Sequence, residues 1–471
     1  MQATRPSRRV RRLTAAAAVV LAGLAVPAVA AAAPGDPDTA LGSGRGFVTT
    51  DVVTNPNVHD AANAVAISPF SEVFVAGSSF GGGIQDAAAV VKYNCCGLAP
   101  DFGSGGKVTF SLDSGAAVND VLYDSRLTTD PGDDRIIVAG SSKLANGNRL
   151  PMISALRRSG QFDTSWNASG IQRHTVPGAT SAELQSLTRQ PNGRIVAAGR
   201  ATINGVERFL VARYNVDGRL DPTFSGDGMR TVATRKNVNG TLAVASSEGG
   251  NDVVFDAATN RIVIAGTSRY PGLSSTADEF TTVIALNAGD GSLDARWDAD
   301  GVQVLSIASG DDRATGIDLD SSGRALLVGV GDPANGNDPS AYVARLRTDG
   351  QLDPAFSGDG RLTYRSGRDV GGTDIAVNRV NGQITASLFD RGGNTGADDD
   401  DTLTTLRLRA DGSLDPAYGG GDGETRTNVN PGVGGFEVAN AIALRNDGSP
   451  VVAGSSSTGT FLFTLAAYRN S

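Results

Sequence analysis

The chain has 471 residues, 61 of them glycine, only two cysteines, and a formal net charge of −9. A chain of this length buries its own core without a disulfide framework, and its acidic balance argues against nucleic acid or anionic membrane as partners, which both demand clustered positive charge. Valine, isoleucine, threonine and alanine dominate the apolar positions, a composition of many short strands joined by tight turns.

The first segment reads as a secretory signal peptide. Arg5, Arg8, Arg9, Arg11 and Arg12 precede an uncharged Ala- and Leu-rich run from Thr14 to Ala33, with small residues at Ala28 and Ala30. A basic region, an apolar region and an A-x-A end define such a signal. We assign residues 1–33 to it and 34–471 to one domain. Removal would take five arginines and no acids, lowering the charge to about −14. No second apolar run approaches the roughly 20 residues needed to cross a bilayer, so a secreted, monomeric protein without membrane insertion is expected.

The mature chain opens with "PDTALGSGRGFVTTDV" and then repeats one unit. The clearest copy runs from Leu184 to Thr234, with strand-like pieces at 184–188, 194–199, 209–214 and 229–234, termed a, b, c and d. Asn192-Gly193 marks the a–b hairpin, and "NVDGRLDPTFSGDG" joins c to d. Strand b recurs with its glycine at Gly77, Gly140, Gly199, Gly266, Gly329 and Gly454, and a degenerate copy spans Ile384–Leu388. The mean period is about 63 residues, the signature of a repeat architecture. Seven a–b–c triplets are present, and the seventh lacks its d strand. The opening segment supplies it: Asp38, Leu41 and Gly46 match Asp221, Phe224 and Gly228. The expected fold is therefore all-β, a seven-bladed β-propeller of four-stranded antiparallel blades, closed by the N-terminal strand joining the C-terminal blade. Closure of this kind removes exposed edges.

The pattern "NGRIVAAG…FLVARYNVDGRLDPTFSGDG" resembles the delta-60 repeat, a bacterial repeat family of propeller type with no assigned function. The resemblance is sharpest around Asp217 and Asp349. It implies the fold and export, and it carries over no site residue.

Several residue sets invite a chemical reading. Gly77-Ser78-Ser79-Phe80-Gly81 has the letters of a nucleophile elbow, but that elbow needs a strand-to-helix turn and a partner histidine. Here it follows strand b, and the histidines, His59 and His174, sit in no triad pattern. Cys95-Cys96 invites a vicinal disulfide in an oxidising compartment. Neighbouring Cα atoms lie about 3.8 Å apart, closer than the usual disulfide span, so such a bond would be strained. Asn215, Asp217 and Asp221, and likewise Asp318, Asp320 and Ser322, have the spacing of a short Ca²⁺ loop. The competing reading is that each Asp-Gly makes a turn and the later Asp accepts backbone N–H bonds. Recurrence in nearly every blade favours the second, so no cofactor other than such a Ca²⁺ is expected. The aromatic or apolar residue of the c–d motif (Leu41, Phe102, Trp166, Phe224, Trp297, Phe356, Tyr418) reads as a plug between blades.

In an up-and-down blade, the a–b and c–d turns share one face of the ring, and the b–c and d–a loops share the other. The first face is uniform and the second varies, which places function on the second. The expected contacts cluster in blades four to six: Arg269, Tyr270, Asp278, Glu279, Asp332, Asn335, Asp338, Asp390, Asp398, Asp399, Asp400 and Asp401. The leading functional expectation is a non-catalytic extracellular or cell-surface scaffold that binds a protein or carbohydrate. The alternative is a hydrolase or lyase of carbohydrate or peptide.

Overall fold

A computed structural model describes residues 33–125, 131–238, 241–274, 279–333, 339–392, 401–430, 435–457 and 459–470. The segment assigned to a signal peptide lies outside these residues except for Ala33, as do Asp278, Asn335, Asp338 and Asp398 to Asp400. Among the described residues, seven four-stranded antiparallel sheets form the blades of a β-propeller. Strand a of blade one is Val58–Ile67, followed by Val73–Gly81, Ala87–Tyr93 and Lys107–Phe110. Blade three matches the clearest sequence copy, with strands Ala179–Arg189, Ile195–Ile203, Val206–Tyr214 and Met229–Val232. Its a and b strands are longer than the sequence suggested, leaving only Asn204-Gly205 as the b–c turn.

The ring closes as expected. Phe47–Thr50 lies antiparallel beside Phe461–Ala467, with Phe47 opposite Ala466, so the N-terminal strand completes the blade built from Phe436–Leu444, Pro450–Ser457 and Phe461–Ala467. A second contact reinforces closure, since the Gly419 N–H donates to the Pro34 carbonyl at 3.1 Å.

The c–d motif supplies the seam between blades. All seven plug residues are fully buried, from Leu41 at 1% exposure to Tyr418 at 0%. The plugs of blades two to five each tuck under the glycine of the next blade's turn. A Cβ on Gly350 would meet the Trp297 ring at 2.9 Å, one on Gly412 the Phe356 ring at 3.0 Å, and one on Gly218 would strike Trp166. The Asp-Gly glycine thus supplies both a left-handed turn, with φ of 86° at Gly350, and room for its neighbour's ring. The motif aspartate anchors a cation from the adjoining strands: Arg213–Asp221 and Arg345–Asp353 lie at 2.8 Å, Arg407–Asp415 at 2.9 Å, and Arg445–Asp38 at 2.6 Å. The same guanidiniums cover the plugs, as Arg213 does Phe224 at 4.8 Å.

One d–a connection differs from the irregular loop expected. Arg235–Val238 and Thr241–Val244 pair as a hairpin, and Lys236 Nζ reaches Asp298 at 3.2 Å beside the outer strand of blade four.

Candidate functional site

Every strand a carries an extra residue where its pairing with strand b shifts register, and blade three has a second such shift at Thr180, near its start. In blade order these bulges fall at Asn63, Asn119, Gln185, Asn251, Thr315, Thr373 and Asn440. A bulge turns one side chain out of the ladder, and here it faces the axis. Asn63 Nδ2 donates to Val118 O, Asn119 to Leu184 O and Asn251 to Ala314 O, each at 2.7 Å, while Asn440 donates to Ala62 O at 2.8 Å. These amides stitch innermost strands together at four of the seven seams, and Thr315 Oγ1 donates to Gly372 O at 2.9 Å at a fifth, around a narrow channel of about 110 Å³.

Three carboxylates from alternate blades line the same channel. Asp120 accepts Leu187 N–H at 2.6 Å, Asp252 accepts Ile317 N–H at 2.7 Å, and Asp374 accepts Ile442 N–H at 2.9 Å. Each also bonds the N–H that follows it in its own strand. Protein surrounds these groups while the channel leaves each partly accessible. Burial pushes Asp120 up to about 7, with repulsion from Asp252 adding to it, and burial likewise carries Asp252 up to about 6. Burial and the Asp252 charge raise Asp374 well above its ordinary range.

On the b–c/d–a face the channel opens into two clefts. The larger, about 410 Å³, spans blades one to three and is lined by Phe80, Asp86, Lys143, Arg149 and Glu183, with Asn63, Asn119 and Gln185 at its inner end. The smaller, about 260 Å³, spans blades three to five and contains Arg200, Glu207, Glu248, Arg269, Glu279 and Arg313. Two places before each bulge, strand a carries Ala61, Ala117, Glu183, Gly249, Arg313, Gly371 or Val438. Small residues there open the floor, and Glu183 and Arg313 divide it.

The expected contacts fall in several places. Arg269 and Glu279 line the smaller cleft. Asp332 is half-buried and its N–H donates to Asp311 O at 2.8 Å, and Asp401 accepts the Gly392 N–H at 3.0 Å. Tyr270 and Asp390 do not reach the surface as a loop reading requires. Tyr270 is 1% exposed and donates to Thr234 Oγ1 at 2.6 Å, while Asp390 is 0% exposed between Arg368 at 2.6 Å and Arg426 at 2.8 Å. The larger cleft was not anticipated, because its signal is one small residue per strand a, visible only once the bulges align the blades.

The suggested Ca²⁺ loops hold other partners. Asp221 accepts both N–H and Oγ1–H of Thr223, at 3.0 and 2.7 Å, and Asp217 accepts Arg219 N–H at 3.2 Å. Burial pushes the Asp221 carboxyl up, but the Thr223 hydrogen bonds and the Arg213 and Arg194 charges together hold it below its ordinary value. Asp318 accepts Leu319 and Val377 N–H, and Asp320 accepts Ser322 and Arg324 N–H. These are the bonds the competing turn reading called for, and among the described residues no three His, Cys, Asp or Glu side chains gather as a metal site. Gly77 to Gly81 lies wholly within a strand, not at a strand-to-helix elbow. Cys95 and Cys96 are exposed on the c–d turn of blade one, their Sγ atoms 2.8 Å apart as free thiols.

These features define a seven-bladed β-propeller whose axial channel opens into two polar clefts on its variable face. A sequence model described as "Domain of unknown function (DUF5122) beta-propeller" matches residues 190–224 and 321–356, which span strand b through the plug in blades three and five. Those two copies thus belong to a propeller repeat type. No curated protein matches the chain. Similar solved structures include a polysaccharide lyase described as an ulvan lyase, at 13% identity and TM-score 0.47, covering 87% of this chain and 94% of that one. A protein of unknown function from Dyadobacter fermentans matches at 10% identity and TM-score 0.41, covering 90% and 100%. An α-L-arabinanase from Penicillium chrysogenum matches at 13% identity and TM-score 0.41, covering 71% and 89%.

Proposed function

We propose that this chain is an exported, non-catalytic binding module that takes its partner at the mouth formed by the b–c and d–a loops. The observation that carries the reading is the position of both clefts on that face, where the blades differ, while the opposite face repeats one turn. The acids that line the channel, and both histidines elsewhere in the ring, are engaged in internal contacts. The channel carboxylates bind backbone N–H groups, and His59 Nδ1 accepts Phe461 N–H at 3.2 Å. His174 meets the Tyr214 hydroxyl at 3.2 Å, and its burial lowers its pKa to about 4, which keeps it neutral.

The test compares two paired variants of the mature chain on intact cells and on purified cell-wall polysaccharide. Arg149→Ala with Arg313→Ala alters the mouth at both clefts; Asp217→Ala with Arg219→Ala alters the exposed opposite turn. The mouth variant should lose retention about ten-fold and the other should keep it, with no new reducing or unsaturated ends released. Equal retention by both variants, or steady release of such ends, contradicts the reading.

A further inference from the structure

The cleft over blades one and two is unlike the rest of the mouth in floor, wall and charge. Its floor is small, because Ala61 and Ala117 stand where blades three and five carry Glu183 and Arg313. Its wall holds Phe80, which is 38% exposed and, among the described residues lining the two clefts and the channel, the one aromatic ring. That ring is fixed in place. It stacks on His59 at 5.7 Å between centroids, and His59 in turn is held by the Phe461 N–H and packs on the Phe461 ring at 5.4 Å. A preset ring loses little freedom when a ligand covers it.

The charges of the cleft face one another in loose pairs. Lys143 Nζ lies 3.5 Å from Asp86, and Glu183 lies 3.7 Å from Arg149 Nη1 within the cleft and 3.7 Å from Arg200 Nε outside it. Each lining cation therefore already confronts a carboxylate, and an anionic ligand would meet as much repulsion as attraction. An apolar ligand would strip water from all four charges without replacing its bonds. A ligand edged with hydroxyl groups satisfies both members of each pair, since a hydroxyl donates to the carboxylate and accepts from the cation. Exposed pairs at such separations contribute little by themselves, so engaging them costs little. A sugar ring also offers the C–H face that lies against an aromatic ring. The volume of about 410 Å³ falls in the range of about 300–1,000 Å³ for small-molecule sites.

We propose that this cleft binds an uncharged carbohydrate, with one sugar ring laid on Phe80 and its hydroxyl groups bonded to the Lys143–Asp86 and Arg149–Glu183 pairs. The assignment rests on the reading that the variable face is the working face, and it specifies the ligand there.

The mature chain would be titrated calorimetrically with neutral oligosaccharides of glucose, galactose, xylose and arabinose, with uronate oligomers and nucleosides as contrasting classes. A neutral oligosaccharide should bind, Phe80→Ala should weaken it about ten-fold, and Ala117→Arg should abolish it. Ala117→Arg places in blade two the side chain that blade five already carries at the same position, so the melting temperature should hold even if Phe80→Ala lowers it. Binding confined to uronates or nucleosides, no binding by any neutral sugar, or neutral-sugar binding undiminished in both variants overturns the assignment. If the mouth variant Arg149→Ala with Arg313→Ala still loses surface retention while no sugar binds, the carbohydrate alone is wrong. If that variant keeps full retention, the choice of face fails with it.

Discussion

Glycine 350 shows at one position how the repeat serves two purposes. Its φ of 86° suits glycine, and the Trp297 ring lies where a Cβ would point. Gly226 has φ of 89° but nothing within 4 Å of a Cβ. Gly226→Ala should therefore show only left-handed strain, about 1–2 kcal/mol, while Gly350→Ala adds displacement of the plug. The expected result is a larger drop in melting temperature for Gly350→Ala, with red-shifted tryptophan emission in that variant alone. The channel carboxylates make a second prediction at this scale. Asp120 at about 7 and Asp252 at about 6 sit above the ordinary 3.8, so the folded state holds protons that the unfolded chain releases in that window. Stability from these groups is present at low pH and falls as pH rises from about 4 to about 7. Carboxyls held below their ordinary value, such as Asp221 and Asp353, act oppositely and lose their contribution in stronger acid. Melting temperature should thus peak near about pH 4 and decline toward pH 7, with His174, kept neutral by burial, offsetting part of that decline. A curve rising steadily to pH 8 would contradict the channel electrostatics.

At the scale of the element, strands and turns differ in how plainly the sequence announces them. The b strands end in a repeated glycine, and Gly77, Gly140 and Gly199 each sit where a Cβ would collide with the neighbouring strand a backbone, so the period follows from packing. The bulges do not announce themselves, because Asn63, Gln185 and Thr315 share a register position but no residue type. The clefts beside them were therefore hidden, while the variable face could be assigned from loop length. Tyr270 and Asp390 misled for a related reason: each flanks a long loop, yet its partners come from other segments, Thr234 and Arg368 from d–a connections and Arg426 from an outer strand. The hairpin Arg235–Val238 with Thr241–Val244 gives the prediction here. Its Leu242 and Val244 are exposed, and its root is held outside it by Thr234, Glu248 and Arg208. Replacing residues 235–244 with two glycines should leave the melting temperature within about 2 °C of the parent; a collapse of the transition would show that the hairpin belongs to the core.

The whole molecule is a ring whose last blade is shared between the two ends of the chain, and its strand count was legible because seven triplets left one d strand over at the start. Removing residues 33–52 should strip Phe461–Ala467 of its outer partner and expose an edge, with aggregation and loss of cooperative melting as the expected outcome. A monomer with an unchanged transition would contradict closure. The proposed working face is the one where the loops of this ring differ from blade to blade. The most direct measurement is a hydrogen-exchange footprint of residues 34–471 with a bound ligand or partner. The account predicts protection concentrated at 78–87, 115–119, 141–149 and 183–185 around the larger cleft. Protection instead at the repeated turns 217–221 and 349–353, with the mouth unchanged, would contradict it.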